Sequence, residues 1–137
     1  MLSQPMRTRV VFLSYASEDA EAAGRIEAAL RAHGIDVWRD RGELRGGDSW
    51  DEAIRRQIRD CALFVPVISR SAAARLEGYF RLEWTLADER MRMMARDRVF
   101  IVPVCIDATW DAGAPESFLR APLQLAPRVG NEPCRFP

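Results

Sequence analysis

The feature that most constrains the fold is the alternation of short apolar runs with amphipathic stretches. The runs are four to eight residues long and rich in Val, Ile and Phe, which is the pattern of buried strands. The stretches between them repeat apolar residues every three or four positions, as a helix with one buried face does. The four predicted strands are residues 10–15, 35–38, 62–68 and 99–106.

This order, βαβαβαβ, predicts an α/β fold, because parallel strands are joined by crossover connections that usually contain a helix. We expect a flavodoxin-like doubly wound parallel sheet of four to five strands with helices on both faces. Two prolines, Pro66 and Pro103, fall inside predicted strands, where each removes a ladder donor. A bulge or an edge position is therefore expected at each of them.

The predicted helices have recognisable ends. The first carries Ala22, Ile26, Ala29 and Leu30 on its apolar face and stops at Gly34, which can adopt the left-handed cap conformation. The second begins with a capping box in which Ser49 is followed three residues later by a glutamate. A third helical stretch extends from about residue 73 to 94, and Phe80, Trp84, Ala87, Met91 and Met94 share one stripe of it.

Composition restricts the class of protein. With 137 residues, 48% of them apolar, the chain can form one domain with its own core. Acidic and basic residues balance at 20 each, which argues against direct binding of nucleic acid or of an anionic membrane surface. All 20 basic residues are arginine, so Schiff-base chemistry and a phosphate-loop lysine are excluded.

The three cysteines, Cys61, Cys105 and Cys134, are far apart and lack the spacing of metal ligands. They are typical of reduced thiols in a cytoplasmic protein. No apolar run approaches the roughly 20 residues of a membrane span, and the N-terminal residues do not resemble a signal peptide. We therefore expect a soluble cytoplasmic domain without a metal site.

Ligands of doubly wound sheets bind beyond the carboxyl ends of the strands. In this chain those ends are followed by residues 14–17, 38–48 and 69–71, and the three loops are expected to converge on one rim. The predicted helix beyond the third strand carries Glu83 directly before Trp84 and four residues after Tyr79. Since residues four apart share a helix face, Tyr79 and Glu83 should project together, which can place a carboxylate beside an aromatic wall.

Four motifs in this order resemble a bacterial Toll/interleukin-receptor (TIR) domain, and the resemblance covers roughly residues 8 to 110. The motifs are Val11-Phe12-Leu13-Ser14-Tyr15-Ala16-Ser17, Val37-Trp38-Arg39-Asp40, Leu44-Arg45-Gly46-Gly47-Asp48 and Phe80-Arg81-Leu82-Glu83-Trp84. We interpret residues 1–7 as an N-terminal leader and residues 8–137 as the TIR domain, which is expected to be a module of a longer multidomain protein.

The resemblance implies an activity. Enzymatic TIR domains cleave the bond between nicotinamide and ribose in NAD+, releasing ADP-ribose or a cyclic form of it, and they use a glutamate on the helix that Glu83 occupies. Loss of nicotinamide leaves an oxocarbenium-like ribose, which a nearby carboxylate can stabilise. Nicotinamide leaves as a neutral group, so a single carboxylate can suffice. NAD+ is then the substrate, and no cofactor is implied.

The resemblance also implies the residues that bind the substrate. Tyr79 would stack on nicotinamide or ribose, although the family commonly has a tryptophan at this point. The residues that would line the phosphate or ribose side are Tyr15, Ala16 and Ser17, and those that would border the closing loop are Trp38, Asp40, Leu44 and Gly47. Some relatives carry arginine where Ala16 and Ser17 stand; Arg39, Arg45 or Arg70, in the other two loops of the predicted rim, could replace that charge.

Two functions remain open at this stage. The first is an NAD+ glycohydrolase, activated by self-assembly with other TIR domains, in bacterial antiphage defence or signalling. The second is a non-enzymatic module that signals by TIR–TIR association alone; the presence of Glu83 favours the first. A phosphoacceptor receiver domain shares the topology but is rejected, because it requires a lysine and clustered acids that this chain lacks.

Overall fold

A computed structural model describes residues 9–39, 48–109 and 112–119. Its strands form one parallel sheet in the order β2-β1-β3-β4. This order and the helical crossovers confirm the predicted flavodoxin-like α/β fold. The strands are β1 (Val10–Ser14), β2 (Asp36–Trp38), β3 (Leu63–Ile68) and β4 (Val104–Cys105). The helices are α1 (Ala20–Ala32), α2 (Asp48–Asp60), α3 (Arg70–Ala74), α4 (Tyr79–Arg92) and α5 (Glu116–Leu119), with a 3-10 turn at Ser17–Asp19.

The central strand β1 separates two layers of core. Successive side chains of a strand point to opposite faces of the sheet, and along β1 Val11 and Leu13 join the core layer that contains Ala23 of α1. Phe12 instead joins the layer formed with α2 and α4. By the same alternation Ser14, the last residue of β1, lies on the face covered by α2 and α4. This placement determines which helix Ser14 can contact.

Pro66 is accommodated on the side of β3 that faces β4. The backbone of Phe64 exchanges bonds with Phe100 and Val102, both on that side, and backbone groups two residues later point the same way. The missing N–H of Pro66 therefore falls in the interval between the bridge from Phe64 to Ile101 and the ladder that begins at Val67. Pairing with the neighbouring strand is interrupted at this point, so the ladder does not require an N–H from residue 66.

The fourth strand is shorter than predicted. Residues 99–106 were expected to form it, but β4 comprises only Val104–Cys105, with an isolated bridge at Ile101. Pro103 lies between the two paired segments. Because β4 is the edge of the described sheet and Val102 donates towards β3, the nitrogen of Pro103 points away from the neighbouring strand. Edge placement accommodates this proline, as the sequence required.

The single helix predicted for residues 73–94 is wrong, because two helices, α3 and α4, occupy this region. Between them Gly78 has φ +152°, a conformation that L side chains rarely adopt. The short helix α3 begins after Ser69, whose hydroxyl accepts a hydrogen bond from the backbone N–H of Ala72. Gly78 thus divides a segment whose apolar periodicity is continuous, and the cap at Ser69 starts the first of the two helices before residue 73.

Helix α1 ends as predicted, with Gly34 at φ +77° beyond its C-terminus. Of its predicted apolar face, Ile26 and Leu30 pack against the core and Ala29 is exposed, while Ala23 and Glu27 are buried. An acid can be buried at Glu27 because its carboxylate pairs with arginines, described below. Helix α2 begins at Asp48, one residue before the predicted cap at Ser49. Among the helices of the described residues, none has the apolar length of a membrane span.

Candidate functional site

Glu83 lies on the buried face of α4. The residues that this helix buries are Phe80, Glu83, Trp84 and Ala87, spaced three, one and three apart, which is one continuous stripe. Glu83 is only 3% exposed, although an acid in a surface helix usually faces solvent. Its carboxylate is therefore directed at the interior between α4 and the sheet, towards the carboxyl end of β1.

The carboxylate meets a serine from the first strand. Ser14 Oγ donates a hydrogen bond of 2.7 Å to Glu83 Oε1, and Ser14 is completely buried. A hydroxyl bonded to a carboxylate makes one of the stronger hydrogen bonds found in proteins. The structure thus brings together the end of β1 and the helix after β3, as the convergence of strand ends predicts, and it adds Ser14 to the site.

Trp84 supplies an aromatic wall, but as part of the core. Its ring packs edge-on against Phe80 and Phe118 at centroid distances of 5.1 and 5.6 Å. Its indole Nε1 is buried without a hydrogen-bond partner in the described part of the chain. The apolar packing on this side fixes the rotation of α4, and with it the direction of the neighbouring Glu83 side chain.

Arg81 fixes the start of α4 against its surroundings. Its Nη2 donates to the carbonyl of Ala72 at 2.7 Å, and its Nη1 donates to the carbonyl of Gly113 at 3.3 Å. The guanidinium also lies over the rings of Phe80 and Trp84. Burial lowers the pKa of Arg81. Sequence reasoning did not single out this residue as an anchor, because its carbonyl partners carry no sequence signal.

Tyr15 is bound to the end of β2. Arg39 Nη1 donates to the Tyr15 hydroxyl at 2.8 Å, and the guanidinium carbon lies 5.6 Å from the ring centroid. The same arginine binds Glu27 through Nε at 2.6 Å, and Glu27 also binds Arg31 at 2.8 Å. Arg39, which the sequence suggests as a source of charge for phosphate binding, connects Tyr15 to a buried carboxylate of α1.

The next two predicted residues differ in accessibility. Ala16 is buried in the core layer of α2 and α4, whereas Ser17 is exposed at the start of the 3-10 turn. Ser17 Oγ donates to Glu18 at 3.3 Å, and Glu18 forms an exposed ion pair with Arg75 at 2.8 Å. Of the two, only Ser17 offers a side chain to a ligand above the rim.

A second polar group joins the ends of β1, β3 and β4. Ser69 Oγ donates to Asp19 Oδ2 at 2.5 Å, and burial raises the pKa of the Asp19 carboxyl. Asp107 follows β4 and accepts from the backbone N–H groups of Arg70 and Thr109. Although burial opposes its ionisation, these donors lower the pKa of Asp107. The rim thus holds one carboxyl with a raised pKa and one with a lowered pKa.

Trp38 is half-buried at the end of β2. Its ring lies 4.8 Å from that of Phe12 and 5.8 Å from that of Trp50, measured between centroids. It therefore continues an aromatic stack from the core to the rim. The three other residues predicted to border the closing loop, Asp40, Leu44 and Gly47, lie outside the described residues.

Tyr79 is the first residue of α4 and is 41% exposed. It precedes Glu83 by four residues, which places the two on neighbouring turns of one side of the helix, and Tyr79 is exposed where Glu83 is buried. Both features fit a ring that contacts a ligand above the acid. Within the described residues, no group of three potential metal ligands is present. The carboxylate of Glu83 accepts a hydrogen bond from the Ser14 hydroxyl.

The description of the family model that matches this chain is "TIR domain", and the match spans residues 11–128. The chain therefore belongs to the TIR domain family. A search of curated protein sequences finds no match. The family assignment agrees with the fold, since the matched region contains all described helices and strands except Val10, the first residue of β1.

Two solved structures have a similar fold. The TIR domains of the activated Roq1 resistosome, solved while recognising the pathogen effector XopQ, align with a TM-score of 0.58 and 26% identity, over 73% of this chain and 58% of that one. A metazoan TIR-STING receptor from C. gigas aligns with a TM-score of 0.61 and 18% identity, over 90% of this chain and 39% of that one. The present chain thus spans less than two thirds of either protein.

Proposed function

We propose that this chain is an NAD+ glycohydrolase that cleaves the bond between nicotinamide and ribose, with Glu83 as its catalytic carboxylate. The observation that carries the proposal is the position of Glu83: an acid on the otherwise apolar buried stripe of α4, hydrogen-bonded to Ser14 at the carboxyl end of β1. Enzymatic members of the family use a glutamate on this helix, and ligands of such sheets bind at this edge.

The environment of Glu83 suits the chemistry. The departure of nicotinamide leaves positive charge on the ribose carbon and ring oxygen, and a carboxylate in a site that excludes water stabilises that charge more strongly than one in bulk solvent. A water molecule then adds to the ribose to give ADP-ribose, or an internal nucleophile adds to give a cyclic product. No second acid is needed, because nicotinamide takes the bonding electron pair and leaves as a neutral group, and the proton of the attacking water is released to solvent.

Other rim residues would hold the rest of NAD+. Tyr79 would stack on the nicotinamide or ribose, and Trp38 and Tyr15 would offer aromatic faces across the rim. Ser17 is the exposed hydroxyl on the first loop, while Ala16 contributes backbone and shape rather than a polar side chain. Asp40, Leu44 and Gly47 would border the loop that closes over the substrate.

The burial of Glu83 gives a reason why NAD+ cleavage would depend on the assembly of several TIR domains. At 3% exposure the carboxylate can reach a ribose only after the rim opens, so a step that opens the rim would switch the enzyme on. We propose that self-association of TIR domains supplies this step, in bacterial antiphage defence or signalling within the cytoplasm. The Roq1 structure, in which TIR domains were solved within an activated resistosome, supports association as the activating event.

Nicotinamide release from the assembled chain tests the proposal. The chain is concentrated on beads, its association is verified by cross-linking, and NAD+ turnover is followed by chromatography, which also separates linear from cyclic ADP-ribose. Wild type is expected to release nicotinamide and Glu83→Gln to lose at least about 100-fold in rate. Glu89→Gln is the matched control, since it makes the same change at an exposed position of α4 and should remain active.

The second candidate function is a non-enzymatic TIR–TIR interaction module. One observation favours it: Glu83 is almost fully buried and already bonded to Ser14, which is also how a purely structural polar pair is arranged. Absence of nicotinamide release from cross-linked, assembled wild type would favour this alternative and contradict the first. Equal release by wild type and Glu83→Gln would likewise remove Glu83 from the mechanism.

A further inference from the structure

We infer that Ser14 is a positioning residue for catalysis: its hydroxyl fixes the plane of the Glu83 carboxylate so that this acid faces the ribose in the reactive orientation. The inference deepens the proposed function and rests on it. Ser14 would not touch the substrate itself. It would act only through Glu83 Oε1, to which it donates at 2.7 Å.

The first step of the argument is that Ser14 is itself rigidly held. It is the last residue of β1, which lies between β2 and β3 in the sheet, and it is paired in register with Pro66. It is completely buried. A hydroxyl on a short side chain at the end of a central strand has very little positional freedom, because only one side-chain torsion places the oxygen. Ser14 therefore serves as a fixed point for a longer neighbour.

The second step is that Glu83 needs such a fixed point. A glutamate has three side-chain torsions, and each that is left free spreads the carboxylate over several positions. The backbone of Glu83 is held by its neighbours on the stripe, Phe80 and Trp84, but those contacts do not orient the carboxylate itself. The hydrogen bond from Ser14 to Oε1 restricts the last torsion of this side chain, and the direction of the second carboxylate oxygen changes with it.

The third step concerns the reaction. Stabilisation of an oxocarbenium-like ribose depends on a carboxylate oxygen close to the developing charge, and misplacement by about 1 Å can cost roughly 100-fold in rate. Preorganised groups are effective because they do not have to reorient during the reaction. Loss of the Ser14 hydroxyl should thus lower kcat while leaving the contacts that bind the remainder of NAD+ in place.

The test uses the assembled chain and compares kcat and KM for NAD+ across Ser14 variants. Ser14→Ala removes the hydroxyl without adding atoms and is expected to lower kcat by about 10- to 100-fold with KM within about twofold. Ser14→Thr and Ser14→Val have nearly the same shape and differ in the hydroxyl, so Thr should retain most of the kcat that Val loses. Ser117→Ala is the matched control, because Ser117 Oγ also donates to a carboxylate of α4, that of Asp88, on the C-terminal side of Glu83.

The outcomes separate this inference from the proposed function. If wild type releases nicotinamide and Ser14→Ala or Ser14→Val keeps wild-type kcat, positioning by Ser14 is refuted while the glycohydrolase stands. A rise in KM with unchanged kcat in Ser14→Ala also refutes it. So does an equal loss of kcat in the Thr and Val variants when both keep the wild-type melting temperature. If assembled wild type itself releases no nicotinamide, the proposed function fails and the inference fails with it.

Discussion

Ser69 at the end of β3 donates a 2.5 Å hydrogen bond to Asp19, fifty residues earlier in the turn after β1. The same serine accepts from Ala72 at the start of α3. One hydroxyl thus ties the first rim loop to the helix that precedes α4. Because Asp19 is 8% exposed, it remains protonated to higher pH than an exposed aspartate, and this sets the direction of a pH effect on stability.

The unfolding free energy of Asp19→Asn, measured relative to that of wild type, should increase as the pH rises. Burial raises the pKa of Asp19 in the folded chain, so the folded state binds the proton more tightly than the unfolded state. The corresponding stabilisation is complete below the unfolded pKa and is lost as the pH rises through the folded pKa. Asn keeps an oxygen for Ser69 and cannot ionise.

Urea denaturation of both proteins at about pH 3.5 and about pH 7 measures this effect, the lower value lying below the ordinary pKa of aspartate. The Asn variant should be more stable relative to wild type at the higher pH than at the lower pH. A shift in the opposite direction would mean that the ionised carboxylate is the form that the fold stabilises, through Ser69 and its neighbours.

Glu83 variants should differ in stability according to what they leave for Ser14. Glu83→Gln keeps the length of the side chain and an oxygen that can accept from the serine. Glu83→Ala leaves a completely buried hydroxyl without this acceptor, which costs about 1–3 kcal/mol. We therefore expect the Ala variant to be less stable than the Gln variant by that amount in denaturant titrations. Equal stability of the two would show that the hydrogen bond from Ser14 contributes nothing to folding.

Arg39→Ala should destabilise the chain, because it removes a cation that pairs with the buried Glu27 carboxylate and a donor to the Tyr15 hydroxyl. We expect a loss of about 2–3 kcal/mol in unfolding free energy. Arg59→Ala is the control: its ion pair with Asp60 is 3.6 Å long and both side chains are more than half exposed, so the change should stay within about 0.5 kcal/mol. Comparable losses in both variants would contradict a special role for Arg39.

Tyr79 variants test the proposed stacking on the substrate. Its exposure of 41% means that Tyr79→Ala should alter the melting temperature only slightly. The KM for NAD+ should rise by about 5- to 20-fold in the Ala variant, since aromatic stacking contributes about 1–2 kcal/mol, and Tyr79→Phe should stay near wild type. A fall in melting temperature with unchanged KM would place the ring in the fold rather than in the binding site.

The sequence predicted the positions of the main elements well, and the reason is local. Strands β1 and β3 are apolar runs bounded by polar residues, and Gly34 beyond α1 adopts the left-handed conformation that the sequence suggested. The break at Gly78 was missed because the apolar repeat continues across it. A glycine directly before Tyr79 was the available signal, since glycine is a poor residue for a helix interior.

The candidate site was predicted in part. The motifs identified Glu83 and the rim loops, but an acid in a helix has no sequence mark that distinguishes a buried position from an exposed one. Its burial follows from its place three residues after Phe80 on the stripe that also contains Trp84. The partner Ser14 lies 69 residues away, and no periodicity relates residues at that distance.

By itself the sequence determined that alternating strands and helices form a parallel sheet, because side-chain periodicity and turn residues act over a few positions along the chain. The tertiary structure alone decided which polar groups meet: Ser14 with Glu83, Asp19 with Ser69 and Arg39 with both Tyr15 and Glu27. These pairs depend on the order of the strands and on the rotation of each helix against the sheet. Both are set by the packing of the whole core, to which distant segments contribute together.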